Sequence, residues 1–332
     1  MNVLSEETGT TIPEKGEDVP VLVIFAPTAC GKTALMETLF AKTAPFGNRA
    51  EIINADSMQV YKGMDIGTAK PDKEFLSRVP HKMIDMCLPN EQFGAGEFYR
   101  NANKMCKDIC DKKKLPVICG GTAFYIRNFL YGLPPTPQVN KTLRAQIAHR
   151  MEIEGKEVIW NELKELDPES AKKININDEY RIKRALEIVL ETGHPRSYFS
   201  IPKTYRKGFN FCVIELERPR EELYNRINKR VELLFNNGLE NEVSQLIKSG
   251  YTKDDPGMQA IGYREFFTNK DEPLESIKSC IKKDTRRYAK RQITFFKQLH
   301  NVIRIPADDI NQVQETICKH FPFLKDSTLD QM

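Results

Sequence analysis

The run Val21-Leu22-Val23-Ile24-Phe25, followed by Ala26-Pro27-Thr28-Ala29-Cys30-Gly31-Lys32-Thr33, decides the fold. Five successive apolar residues, most of them β-branched or aromatic, suit a strand covered on both faces, as in a parallel sheet. The loop then opens a helix-like run, ALMETLFAKTA. Strand, loop, Gly-Lys-Thr and helix in that order form the P-loop arrangement. Backbone N–H groups at the loop and the helix N-terminus point at phosphate oxygens, and the helix dipole favours an anion there. Lys32 reaches a terminal phosphate, and the Thr33 hydroxyl suits a Mg2+ that bridges phosphates. The usual spacing, GxxxxGK[ST], has glycine where this chain has Ala26. Where backbone φ is positive, alanine costs on the order of 1 kcal/mol relative to glycine. The motif points to a diphosphate or triphosphate and leaves open which molecule carries it. Cys30 lies beside Lys32 and a helix N-terminus, which lower a thiol pKa. A small side chain filling a Ser-like place is the favoured reading over an oxidation-sensitive one.

Further strand candidates are 51–54, 115–119, 211–215 and 302–305, and an Arg-rich helix is expected from about Arg220 to Asn236. Strands alternating with helices predict an α/β fold, a P-loop doubly wound parallel sheet. Between PPTPQV and Gly193-His194-Pro195 the residues read as consecutive helices, so an all-helical domain is inserted there. The expected organisation is a disordered acidic tail (1–20), the first part of the core (21–135), the helical insertion (136–195), the second part of the core with basic helices (196–310), and a C-terminal helix and tail (311–332).

Composition narrows the classes. The 332 residues are 40% hydrophobic, with 50 basic and 46 acidic side chains and a net charge of +4. The first twenty residues hold five acids and one lysine, so the remainder carries a mild excess of +8 that does not by itself indicate nucleic-acid binding. No window approaches the ~18 uninterrupted apolar residues of a membrane span, and the N-terminus has neither an apolar signal core nor an Arg-rich transit pattern. A cytoplasmic location is expected. The eight cysteines form no CxxC pair and the five histidines no HxxxH, so free thiols are expected in place of disulfides or a metal cluster.

Two other strand ends carry polar clusters. Asn54-Ala55-Asp56-Ser57-Met58-Gln59 follows the second strand and Cys119-Gly120-Gly121-Thr122 the third. Ligands of open α/β sheets bind at the carboxyl ends of strands, so Asp56 should face the P-loop. Its carboxylate could bind Mg2+, accept a proton or only cap the following turn. Asp56, Ser57 and Gln59 offer groups that grip a base edge. The Gly-Gly-Thr turn either lets backbone approach a ligand closely or is a plain βα turn. Lys278 to Lys297 holds eight cations and one acid. On a helix Lys283, Arg287, Lys290 and Arg291 share one face, with Ile281, Tyr288 and Phe295 on another. Few acids stand at i±4, so contact with a phosphate backbone competes with a solvated face. Arg181 and Arg184 in the insertion form a second basic site.

With these segments assembled, the chain closely resembles the tRNA dimethylallyltransferases (tRNA isopentenyltransferases), bacterial type, from about Val21 to Ile305. The carrying segments are APTACGKTA, INADSMQVYKGMDIGTAKP, VPHKMID, LPVICGGTAFYI, NDEYRIKRALEI, MQAIGYRE and AKRQITFFK. Members usually have Gly at position 26 and Ser at 30. The C-terminal CKHFPFLKDSTLDQM carries no zinc-finger pattern of the eukaryotic type.

The resemblance implies transfer of a dimethylallyl group from dimethylallyl diphosphate to N6 of the adenosine directly 3′ of the anticodon. It implies that Ala26, Pro27, Thr28, Ala29, Cys30, Gly31, Lys32 and Thr33 hold the diphosphate, with Mg2+ on Thr33, and that Arg226 and Arg230 reach it. Asp56 is the implied general base, acting with Thr122 and Lys32. Implied tRNA contacts are Asp56, Ser57, Met58, Gln59, Thr122, Arg144, Arg181, Arg184, Gln259, Gly262, Tyr263, Arg264, Lys290, Arg291, Gln292 and Lys297. The expected partners are the anticodon stem-loop of tRNA and dimethylallyl diphosphate, and the expected state is a monomer. Rival readings are an adenylate isopentenyltransferase acting on free AMP, ADP or ATP, a P-loop small-molecule kinase, and a non-enzymatic RNA-binding module. The basic helix and MQAIGYRE favour tRNA over a mononucleotide. The kinase leaves the DSMQ and GGT segments without a role, and the binding module leaves Lys32 and Asp56 without one.

Overall fold

The computed structural model describes residues 18–136, 140–199 and 202–325. Its chain divides into two compact units, one made of residues 1–130 and 206–332 and the other of residues 131–205.

The first unit is built on six parallel strands: β1 (Val19–Phe25), β2 (Ala50–Ala55), β3 (His81–Lys82), β4 (Leu115–Gly120), β5 (Phe209–Glu217) and β6 (Ile303–Pro306). Their spatial order is β3-β2-β4-β1-β5-β6. Strand β1 sits between β4 and β5 and is sealed from solvent from Val21 to Phe25, as its apolar run requires. It begins at Val19, two residues before the expected start. The rest of the stretch read as an acidic tail, residues 1–17, lies outside the described residues. The two-residue β3 was not legible in VPHKMID, because it is too short to show a period.

Helices α1 (Lys32–Phe40), α2 (Lys73–Arg78) and α3 (Ala95–Asp111) connect the first four strands, and α4 (Ala123–Tyr131) follows β4. The second, inserted unit contains α5 (Lys141–Glu154), α6 (Lys156–Leu166), α7 (Pro168–Lys173) and α8 (Glu179–Thr192). It has a core of its own, including Ile147, Met151, Ile159, Leu163, Ile182 and Leu186. Asn140, Asp167 and Asp178 cap its helices through their side chains. Back in the first unit, β5 leads to α9 (Arg220–Asn236), α10 (Leu239–Lys248), α11 (Arg264–Thr268) and α12 (Leu274–Phe296), and β6 to α13 (Ile310–His320). Leu223, Ile227, Val231 and Leu234 recur at helical spacing and bury one face of α9. Among the described residues no helix is long and apolar enough to cross a membrane.

Candidate active site

The register brings three strand ends level. Phe25 pairs with both Gly120 and Glu215, and Gly120 pairs with Ala55. The residues that follow, Ala26, Gly121 and Asp56, therefore leave the sheet side by side. Gly120 permits this, since a Cβ there would stand 2.3 Å from the Ala55 carbonyl oxygen. The Thr122 N–H closes the contact by donating to that same oxygen at 3.1 Å.

In the phosphate loop the Lys32 ammonium turns back over the strand end and donates to the Ala26 and Pro27 carbonyls at 2.9 and 3.1 Å. Burial pushes its pKa down, while the thiols of Cys119 and Cys30 and the Asp56 carboxylate act the other way. Gly31 caps α1 with φ of 119°. The first-turn N–H groups of Lys32 and Thr33 have no carbonyl four residues back inside the helix and face outward as donors. The strain expected at Ala26 does not occur there. Ala26 is fully buried and lacks a positive φ; the left-handed alanine of the loop is Ala29, with φ of 62°. Cys30 is sealed in, and its thiol donates to the Leu216 carbonyl at 3.4 Å. Burial raises its pKa against the pull of Lys32 and Arg218, so it is the small buried side chain and not an acidic thiol.

Two guanidinium groups line the loop. Arg226 Nε donates to the Ala29 carbonyl at 2.8 Å, and Arg218 Nε donates to the Cys30 carbonyl at 3.1 Å. Arg230, one turn beyond Arg226 on α9, is desolvated, which lowers its pKa, with the Asp56 carboxylate as the opposing charge. Arg218 escaped the sequence reading. It stands directly after β5, and only the strand order shows that β5 neighbours β1.

Opposite the loop, Asp56 Oδ1 accepts the Met58 N–H at 2.9 Å, so the carboxylate does cap its own turn. The Thr122 hydroxyl accepts the Ser57 N–H at 2.9 Å and lies 3.2 Å from the Ser57 hydroxyl. Tyr288 of α12 joins this cluster, close enough to Asp56, Thr122 and Gln292 for each to act on its hydroxyl. Burial raises its pKa and the Asp56 charge adds to the rise. The helical pattern put Tyr288 on an apolar face; its i,i+4 spacing to Gln292 was the available signal.

Several implied RNA contacts are accounted for differently. Gln292 is buried: its amide oxygen accepts the Thr28 N–H at 2.9 Å and its nitrogen donates to the Gly121 carbonyl at 2.6 Å. It thus ties the phosphate loop to the Gly-Gly-Thr turn, and Gly121 leaves room for it, since a Cβ would meet its amide nitrogen at 2.8 Å. Tyr263 is fully buried with its hydroxyl on Glu242 at 2.6 Å, a packing role in place of a surface one. Arg264 is engaged by Glu265 and by Asp284 at 2.6 Å. Gln259 lies in a short 3-10 turn, and Gly262 adopts φ of 101°.

On α12 the cations are more paired than local spacing implied. Lys278 and Lys282 both reach Glu232 of α9, and Arg287 lies 3.4 Å from Asp284. Among the described residues Lys283 and Lys290 have no acidic partner, and both are exposed, as are Arg291 and Lys297. In the helical unit, Arg144 and Arg184 converge on the buried Glu187 carboxylate at 3.2 and 3.1 Å, while Arg181 is exposed beside Asp178. No group of three or more His, Cys, Asp or Glu suited to a metal occurs among the described residues.

An α/β sheet whose central strand ends in a phosphate loop, with guanidiniums on one side and a carboxylate–hydroxyl cluster on the other, defines a P-loop α/β protein with a site built for an anion. The model of the IPP transferase family matches residues 59–299, from just past Asp56 to the end of the basic helix. A tRNA dimethylallyltransferase of Acetivibrio thermocellus is 41% identical over 90% of this chain and 95% of its own length. One of Borreliella burgdorferi is 39% identical over 90% and 97%. Among solved structures, the tRNA isopentenylpyrophosphate transferase of Bacillus halodurans superposes with a TM-score of 0.66 at 31% identity, covering 92% of this chain and 98% of that one. A eukaryotic dimethylallyltransferase acting on tRNA gives 0.73 at 27% identity, over 90% of this chain and 78% of the other. The chain belongs to the tRNA dimethylallyltransferase (IPP transferase) family.

Proposed function

We propose that this protein transfers the dimethylallyl group of dimethylallyl diphosphate to N6 of the adenosine immediately 3′ of the anticodon in tRNA, giving N6-(dimethylallyl)adenosine and diphosphate. The observation that carries this reading is the level alignment of the phosphate loop with Asp56 and Thr122 at adjoining strand ends. Family membership supplies the donor and the acceptor.

An exocyclic adenine amine is a weak nucleophile, because its lone pair is delocalised into the ring. The allylic carbon compensates, since positive charge developing there is delocalised too. Catalysis then rests on holding the leaving group, orienting the pair and removing a proton. The Lys32 ammonium, already held at the loop, exchanges its bonds to the Ala26 and Pro27 carbonyls for phosphate oxygens. Arg226 and Arg218 add charge from the other side. The N6 lone pair forms the new C–N bond as the C–O bond to diphosphate breaks and its electron pair stays on the leaving oxygen. The N6 proton passes to Asp56, whose one oxygen is fixed by the Met58 N–H. Ser57 and Thr122 are bonded to each other and frame the base. A Mg2+ ion fits as one carried mainly by the substrate's oxygens, which is how this ion commonly binds. The exposed Thr33 hydroxyl would hold it, and it would neutralise diphosphate charge. A base reaches this site only when taken out of its stack, which an anticodon loop permits cheaply.

The test is transfer of radiolabelled dimethylallyl groups, with Mg2+, to unmodified tRNA and to AMP in parallel. Label in tRNA alone is expected. Label in AMP alone would make this a mononucleotide enzyme, and label in neither would sink the reading. Asp56→Ala should abolish transfer while leaving tRNA binding near wild type; equal loss of binding would reduce Asp56 to its turn-capping role.

A further inference from the structure

Glu242, on α10, receives four hydrogen bonds from beyond its own helix. The N–H groups of Asp65, Ile66 and Gly67 donate to its carboxylate at 2.9, 2.7 and 3.0 Å. The Tyr263 hydroxyl donates at 2.6 Å. Successive backbone N–H groups turned to one side form an anion-binding concavity, and here the protein's own carboxylate fills it. Hydrogen bonds to an ionised acceptor are roughly twice as strong as neutral ones, so the turn is firmly set. Gly67 packs against the Tyr263 ring so closely that a Cβ would stand 2.5 Å from it.

The same turn reaches back to the active site. The Gln59 side-chain nitrogen donates to the Thr68 and Ala69 carbonyls, both at 3.3 Å. Lys70 anchors the far end on the Tyr61 carbonyl at 2.7 Å. With its nitrogen engaged, Gln59 keeps its carbonyl oxygen as the acceptor available to a base edge. Gln59 lies three residues after Asp56. None of these bonds involves Lys32, Arg218 or Arg226, which serve the diphosphate half of the site.

We infer that Glu242 is a positioning residue for the acceptor base: its carboxylate orders the turn 65–69, and the Thr68 and Ala69 carbonyls of that turn orient Gln59 toward the adenine beside Asp56. The inference rests on the acceptor reading proposed above. It also gives the Tyr263 hydroxyl a function from inside the fold.

The experiment compares wild type, Glu242→Gln and Tyr263→Phe in the transfer assay, with steady-state constants for unmodified tRNA and for dimethylallyl diphosphate measured separately. Glu242→Gln keeps the shape but replaces an accepting oxygen with a donor. Its kcat/KM for tRNA should fall roughly tenfold, with the KM for dimethylallyl diphosphate within about twofold of wild type. Tyr263→Phe removes one hydroxyl from the same carboxylate and should shift the tRNA constant in the same direction by less. Should Glu242→Gln fail to fold, the Tyr263→Phe constants decide alone by the same criterion. Wild-type constants in a variant of lowered melting temperature would overturn the inference and leave Glu242 structural. Parallel changes in both substrates' constants would overturn it too. No transfer by wild type would overturn the acceptor reading and this inference with it, whereas wild-type transfer with unaltered variants would overturn this inference alone.

Discussion

Ala29 carries a left-handed backbone, with φ of 62°, in the middle of the phosphate loop, whereas Ala26 ends a buried strand without one. The two alanines should respond oppositely to glycine. Ala29→Gly relieves the Cβ clash, less the unfolded-state entropy that glycine adds, for a gain of roughly 0.5–1 kcal/mol. Ala26→Gly removes a buried methyl and loosens a strand end, for a loss of about 1 kcal/mol. Chemical denaturation of the two variants checks both signs. A stabilising Ala26→Gly would mean that the loop is held differently from the geometry above. The family's usual glycine at this position thus cannot be explained here by positive φ.

At the scale of elements, α12 divides by partner. Lys278 and Lys282 are matched to Glu232 of α9, so they hold two helices together, while Lys283 and Lys290 are exposed and, among the described residues, without an acidic partner. Lys283→Gln with Lys290→Gln should weaken tRNA binding and reduce the slope of log K against log salt by about one for each lysine that meets a phosphate. Lys278→Gln should leave that slope unchanged. A slope unmoved by the double variant would return this face to solvent. The short strand β3 gives a pH prediction. His81 Nδ1 lies 2.7 Å from the Val79 carbonyl, and burial holds the imidazole pKa below its ordinary value. The unfolded chain then binds the proton more readily. Stability contributed by the neutral ring is present above the ordinary histidine pKa and is lost as pH falls through it toward the depressed folded value. His81→Asn, which keeps a donor for the Val79 carbonyl, should flatten the fall in melting temperature between neutral and mildly acidic pH. An unchanged slope in the variant would assign it to other groups.

At the scale of the molecule, two separate cores underlie one chain. The helical unit closes on Ile147, Ile159, Leu163 and Ile182, and the sheet unit on β1, β4, β5 and the helices against them. Asp167 is a fully buried carboxylate in the helical unit; it accepts the Ser170 N–H at 3.0 Å and the Arg196 N–H at 2.8 Å. Asp167→Ala leaves both donors without a partner and should cost about 2–3 kcal/mol. Hydrogen exchange is the discriminating measurement: amides of α5–α8 should lose protection while those of β1 and β4 keep theirs. Equal loss in both units would show that they unfold as one.

What local chemistry fixes was legible along the chain. The apolar run into Gly-Lys-Thr indicates a buried parallel strand and a phosphate loop, since that arrangement covers the side chains on both faces and leaves the loop N–H groups as donors. The span of α9 and the run of helices between Pro134 and Gly193 followed from period and punctuation alone. What depends on which segments meet was not legible. Strand order made Arg218 a neighbour of the loop, and helix packing turned Gln292 and Tyr263 inward and matched Lys278 and Lys282 of α12 to Glu232. Spacing within single segments was enough for the fold class and the residues at the strand ends, and the joint order of the motif segments from APTACGKTA to AKRQITFFK for the family. Only the tertiary structure decided which polar groups hold the site together and which remain free for substrate, because a hydrogen bond between residues 264 positions apart leaves no local pattern.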